Sequence, residues 1–148
     1  TNRNIPLFGD SFTRAIADVL ELDFVEAESL KQRQKNLVTV VGQTEENTNV
    51  QEKLNEMVDE LGREILRTIE YFQIQKREAV FEKIIISGGG ARLDGLVKRL
   101  STEIRIPVEI HQPLQNLNCE KSFDKQYLQS VAPQLAIAVG LAIRGGEE

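Results

Sequence analysis

The chain has 148 residues, of which 41% are hydrophobic and 28% charged, a balance that fits one ordinary globular domain and excludes a disordered polypeptide. No apolar run approaches the roughly 20 residues that span a bilayer, and no secretory signal pattern opens the sequence. The formal charge of −5, with basic and acidic residues interleaved, argues against nucleic acid as a partner, because duplex binding needs a cluster of Lys and Arg.

The first residue is Thr1 and not Met, so the chain reads as a piece of a longer polypeptide. Residues 1–7 read as the end of a strand, with Pro6 placing it at an edge or terminus. Gly9 and Asp10 follow as a turn and helix start, after which Phe12, Ala15, Ile16, Val19 and Leu20 recur at helical spacing. Asp23 and Glu26 form a capping box for a second helix running to about Lys35. Residues 36–49 combine a short apolar patch, 37–41, with a polar run, and read as a loop.

The longest element follows. Val50, Leu54, Met57, Val58, Leu61, Ile65, Ile69 and Phe72 make one apolar stripe to about Lys76, with Met57 and Phe72 read as core and the opposite charged face as solvated. Ile84, Ile85 and Ile86, within 81–87, switch to a β-branched run that fits a strand covered on both faces. Gly88, Gly89 and Gly90 make a turn. Leu93, Leu96, Val97 and Leu100 are a helical stripe, and 107–111 a further strand, so the segment reads as a βαβ unit. Residues 112–125 are polar and loop-like. Their single cysteine, Cys119, excludes an intrachain disulfide framework and reads as a bystander thiol in a reducing compartment. Residues 126–144 read as a closing helix with Pro133 at its start, apolar nearly all round and so expected to be buried between layers.

Two groups of residues could carry chemistry. In Ser87-Gly88-Gly89-Gly90-Ala91-Arg92-Leu93-Asp94-Gly95-Leu96, three glycines remove every Cβ from the turn after a strand. A flat ligand can then lie against the main chain, and the amides opening the next helix favour an anion. The alternative is a tight connection with no ligand. The Rossmann spacing fails at Leu93, and no Walker A pattern occurs. Glu28 and Lys31, three apart, project from one side of the second helix. A carboxylate and an ammonium there can bracket a ribose diol; the alternative is a surface ion pair worth under about 1 kcal/mol.

Together these segments resemble a known family. Gly9-Asp10-Ser11-Phe12-Thr13, Glu26-Ala27-Glu28-Ser29-Leu30-Lys31, the run from Ser87 to Leu96, and Ala138-Val139-Gly140-Leu141-Ala142-Ile143-Arg144 occur in the order and spacing of PilM. These are the actin-like ATPases of type IV pilus assembly, relatives of FtsA. The resemblance covers nearly the whole chain. It implies an α/β fold: the second lobe of an actin-like ATPase (ribonuclease-H-like), with a mixed sheet flanked by helices plus a helical insertion. Residues 1–23 and 81–148 would form the α/β core, and about 24–80 the helical subdomain on the nucleotide side. Phe8 departs from the family, which usually has Gly-Gly-Asp before the first helix.

The resemblance further implies ATP or ADP with Mg²⁺ as the cofactor of the full-length protein. Gly88, Gly89, Gly90, Ala91 and Arg92 would form the loop cradling adenosine, with Arg92 stacking on the base, and Glu28 and Lys31 would contact ribose and base. The implied partners are the cytoplasmic tail of the inner-membrane protein PilN, other pilus-platform proteins and further copies of the chain, at a cytoplasmic location next to the inner membrane. The PilN groove of the family lies mainly on the first lobe and is expected to be missing here. So is ATP hydrolysis by this chain alone, since the loops holding γ-phosphate and Mg²⁺ are absent. An FtsA-like cell-division filament protein, and an interaction module that has lost its nucleotide, are the alternatives. The chain shows no zinc-ligand spacing and no nucleophile elbow, and His111, on a predicted strand, reads as structural or exposed.

Overall fold

A computed structural model describes residues 2–7, 9–33, 45–117 and 123–146. The expected patch at 37–41, Phe8 and Cys119 lie outside the described residues.

Helix α1, Gly9–Leu20, buries Phe12, Thr13, Ala15 and Ile16, the stripe its 3.6-residue spacing predicts. Helix α2, Phe24–Arg33, starts where Asp23 Oδ1 accepts the Glu26 amide at 2.7 Å, satisfying one of the orphan donors of the first turn. Helix α3, Glu45–Gln75, is 31 residues long. It begins inside the segment expected to be a loop, because a helix anchored by its apolar stripe propagates through polar residues that do not forbid it.

Residues 2–7 form no strand. Pro6 has no amide for a ladder, and the segment is held to α3 instead, by Arg3 donating to Glu64 Oε2 at 2.7 Å and to Thr68 Oγ1 at 3.3 Å.

Strand β1, Ile84–Ile86, pairs in parallel with β2, Val108–Ile110, in the register Ile84 to Val108 and Ile86 to Ile110. Helix α4, Leu96–Ile104, lies between them in sequence, so the βαβ reading holds. The expected mixed sheet is, among the described residues, a two-stranded parallel one. Ile84 and Ile86 face the core, but Ile85 is 57% exposed, so the run of three isoleucines is covered on one face and not on both. Alternation sends neighbouring side chains to opposite faces, and on the outer face Lys83 meets Glu109 at 2.8 Å.

The C-terminal segment corrects two further expectations. It is not one helix: α5, Lys125–Val131, is capped by Asp124, then Ala132–Leu135 forms a 3-10 turn, and α6 is Ala136–Gly145. Pro133 cannot donate to an α-helical ladder, and the chain tightens there. Nor is α6 buried: Ile137 is 78% and Leu141 63% exposed, because none of the described layers covers it.

One contiguous apolar core joins these parts, running from Phe12 and Ile16 through Ala27, Leu54 and Val58 to Leu96, Leu100 and Val108. Helix α3 is its spine, packed against both α1 and α4. Two features fix the α3–α4 contact. Arg99 holds Asp59 with two parallel hydrogen bonds, at 2.8 and 2.7 Å, the fork geometry that suits guanidinium and carboxylate. Gly62 is buried against α4, and a Cβ there would stand 2.7 Å from Glu103 Cγ. Gly62→Val is therefore expected to cost about 1–3 kcal/mol through overpacking, read as a lower midpoint in thermal denaturation. A midpoint equal to the parent's would mean that the two helices have room to part.

Candidate functional site

The start of α1, the inner face of α2 and the glycine turn after β1 enclose an open cleft of about 730 Å³, within the range of small-molecule sites. Gly9, Asp10, Phe12, Glu28, Lys31, Gln32, Gly89, Gly90, Arg92, Leu93, Asp94 and Gln134 line it. Five of the seven residues expected from the sequence stand here: Glu28, Lys31, Gly89, Gly90 and Arg92. Gly88 and Ala91 do not line the cleft.

Those two residues build the turn. Gly88 takes φ +91°, a left-handed conformation open to glycine, and Ala91 is 5% exposed and packs inward. The turn does not lead straight into a helix, as expected. A 3-10 turn, Gly89–Arg92, intervenes, and α4 starts only at Leu96, so the amides at the start of α4 are not those of the glycines. The turn is fixed from the other end of the chain: the Pro133 carbonyl accepts from the Gly88 amide at 2.8 Å and from Ser87 Oγ at 3.1 Å. That anchoring brings Gln134 to the rim, with Nε2 3.7 Å from where a Cβ on Gly89 would lie. Gly90 and Gly9 approach main chain to main chain, since a Cβ on Gly90 would sit 3.7 Å from the Gly9 nitrogen and Cα.

The opposite wall is a compact polar knot. Lys31 Nζ donates to the Gly9 carbonyl at 3.1 Å and to Thr13 Oγ1 at 2.6 Å, and meets Glu28 Oε2 at 2.6 Å. Thr13 Oγ1 lies 2.5 Å from the same Glu28 Oε2, and Gln32 Nε2 donates to Oε1 at 2.8 Å. The pair is thus more than the surface ion pair weighed as the alternative: the Lys31 side chain is 15% exposed and that of Glu28 30%. Burial pushes the Glu28 carboxyl up, but hydrogen bonds from Lys31, Thr13 and Gln32 and the charge of Lys31 outweigh it and hold the pKa at about 2, against an ordinary 4.5.

A carboxyl whose pKa is depressed by folding stabilises the fold above its unfolded value and loses that contribution as pH falls through the folded one. Here the window runs from about pH 4.5 down to about pH 2. Glu28→Gln is expected to be less stable than the parent by about 2 kcal/mol at pH 7, with the gap closing over that window in urea denaturation. A gap that stays constant with pH would contradict the assignment.

Of the other lining residues, Gly9, Asp10, Phe12, Leu93 and Asp94 lie in segments that the sequence singled out without assigning them a ligand contact, and Gln32 and Gln134 lie outside those segments. Gln32 carried a signal, lying four residues after Glu28 on the same helix face. Gln134 carried none, because its placement depends on a contact 46 residues along the chain. Among the described residues, no group of three or more His, Cys, Asp and Glu side chains is placed to hold a metal ion, and no helix is long and apolar enough to cross a membrane. His111 follows β2, its amide donating to the Ile86 carbonyl at 2.8 Å, outside the cleft.

Comparison with known proteins adds three findings. A family model described as "Type IV pilus assembly protein PilM" matches residues 2–146. No curated protein gives a significant match. A chain of a solved structure titled "PilM-PilN type IV pilus biogenesis complex" is 29% identical and superposes with a TM-score of 0.77; the match covers 97% of this chain and 38% of that one.

Proposed function

The chain belongs to the PilM family of type IV pilus assembly proteins, and from that premise we propose that it supplies the adenosine-side wall of an ATP-binding site in a pilus-assembly scaffold with an actin-like, ribonuclease-H-like fold. The single observation that carries the reading is convergence. The start of α1, the Glu28/Lys31 face of α2, the turn at Gly89 and Gly90, and the rim residue Gln134, distant in sequence, border one cleft of about 730 Å³.

The charge of the cleft supports the nucleoside end of the ligand over the phosphates. Three carboxylates, Asp10, Glu28 and Asp94, accompany Lys31 and Arg92 along it, and Lys31 is already paired with Glu28. A wall of that balance suits sugar hydroxyls and a base. Glu28 is fixed in its ionised form as an acceptor for the ribose. The bare glycine main chain lets a flat ring approach, and Arg92, exposed at the end of the 3-10 turn, offers a guanidinium face to adenine. The phosphates and Mg²⁺ belong to parts of the longer protein, and ATP hydrolysis is not assigned to these residues. In this reading residues 24–80 are the helical nucleotide-side subdomain, sharing one core with the α/β remainder. The chain spans 38% of the length of the PilM–PilN relative. We extend from that relative the partner PilN, whose cytoplasmic tail would hold the assembled protein at the inner membrane.

Isothermal titration of ATP and ADP into the full-length protein tests the reading. Saturable adenine nucleotide binding is expected, with at least about a 100-fold loss (about 2.7 kcal/mol) on Gly89→Tyr, whose ring would fill the cleft beside Gln134. Absence of binding by the parent protein would overturn the site, and unchanged binding by Gly89→Tyr would move it elsewhere.

A further inference from the structure

Thr13 does not line the cleft, yet it is fully buried, at 0% exposed. Its hydroxyl sits between α1 and α2, accepting from Lys31 at 2.6 Å; its single proton has two acceptors in reach, Glu28 Oε2 at 2.5 Å and the Gly9 carbonyl at 3.1 Å, and the nearer is the carboxylate. An ammonium has three protons, and Lys31 meets three protein acceptors: the Gly9 carbonyl, Thr13 and Glu28. A carboxylate oxygen has about two lone-pair sites. Oε2 of Glu28 is engaged by both Lys31 and Thr13, whereas Oε1 receives only the Gln32 amide. The acceptor capacity remaining on this carboxylate is therefore on Oε1.

Resting on the nucleoside reading of the cleft, we infer that Thr13 is a positioning residue that selects for a hydroxylated sugar: it pins Glu28 Oε2 from behind, so that Oε1 alone is presented to a ribose hydroxyl. A side chain of the same shape without the hydroxyl leaves Lys31 one acceptor short and lets the carboxylate swing. Adaptation of that kind weakens recognition of the sugar hydroxyl without emptying the rest of the cleft. A ligand that lacks the sugar hydroxyl forgoes the bond to this held acceptor, and a carboxylate free to swing no longer marks the difference. Loss of the pin should therefore appear as loss of discrimination.

The test is titration of full-length protein with ADP, 2′-deoxy-ADP and 3′-deoxy-ADP, for the parent, T13V, T13A and T13S. The parent is expected to prefer ADP over at least one deoxy analogue by about 10-fold. T13V and T13A should weaken ADP by a similar factor while leaving that analogue nearly unchanged, so that the ratio collapses, and T13S should restore it. Equal weakening of ADP and the analogues would make Thr13 a purely structural residue and overturn the inference, as would a ratio that survives in T13V and T13A. If the parent binds none of the three ligands, it is the reading of the cleft that fails. Should the apolar variants not fold, a crystal structure of the parent with ADP decides: a sugar hydroxyl on Glu28 with Thr13 still bridging Glu28 and Lys31 supports the role. A sugar that does not touch Glu28 overturns it.

Discussion

Replacing Leu54 by alanine is expected to lower the unfolding free energy by about 3–4 kcal/mol. Leu54 is 0% exposed on α3, the helix that packs on α1 and α4, within the core formed by Ile16, Val58 and Leu100. Truncation removes the transfer free energy of the lost carbons and leaves a cavity. Its walls come from helices held in place by Arg99–Asp59 and by the close approach at Gly62, and so collapse poorly. Urea denaturation followed by circular dichroism would show a lower midpoint at an unchanged slope. A loss under about 1 kcal/mol would mean that α3 is not the spine of the core.

Lys31→Met is expected to act on stability and on its pH dependence together. It removes the cation shared by the Gly9 carbonyl, Thr13 and Glu28, leaving a partly buried carboxylate without its charge partner, at a cost of about 2–4 kcal/mol. The Glu28 carboxyl, held at about 2 largely by Lys31, should return toward its ordinary range, and the acid-sensitive part of the stability profile should shift to higher pH. The E28Q/K31M double variant should be less destabilised than the sum of the two single variants, because the unpaired charge is then gone. Strict additivity would show that the pair contributes nothing beyond its separate members.

What the sequence displayed and what it hid divide along the range of the interactions involved. The buried faces of α1 and α3 were legible because Phe12, Ile16, Leu54 and Val58 repeat with the helix period, and β1 because Ile84 to Ile86 break that period. Glu28 and Lys31 were legible because three residues is a helix-face spacing. The failures concern packing against something distant. α6 was expected to be buried from its apolar composition, but whether Ile137 and Leu141 are covered depends on layers that composition does not encode. In residues 2–7, Pro6 argues against a ladder, but nothing local announces that Arg3 ties the segment to Glu64 and Thr68 of α3. Thr13 was visible as part of a motif, yet its hydroxyl acquires a role only where α2 brings Glu28 and Lys31 against it, and Gln134 reaches the cleft only through Pro133.

The Pro133 carbonyl, receiving both the Gly88 amide and the Ser87 hydroxyl, makes Gly88 an internal reporter. Its amide proton can exchange with solvent only when that bond opens. Hydrogen exchange at Gly88 should therefore report separation of the glycine turn from the 3-10 turn at Pro133. Pro133→Gly, which retains the carbonyl but loosens its backbone, should speed exchange at Gly88 while leaving Leu54 and Leu100 as protected as before.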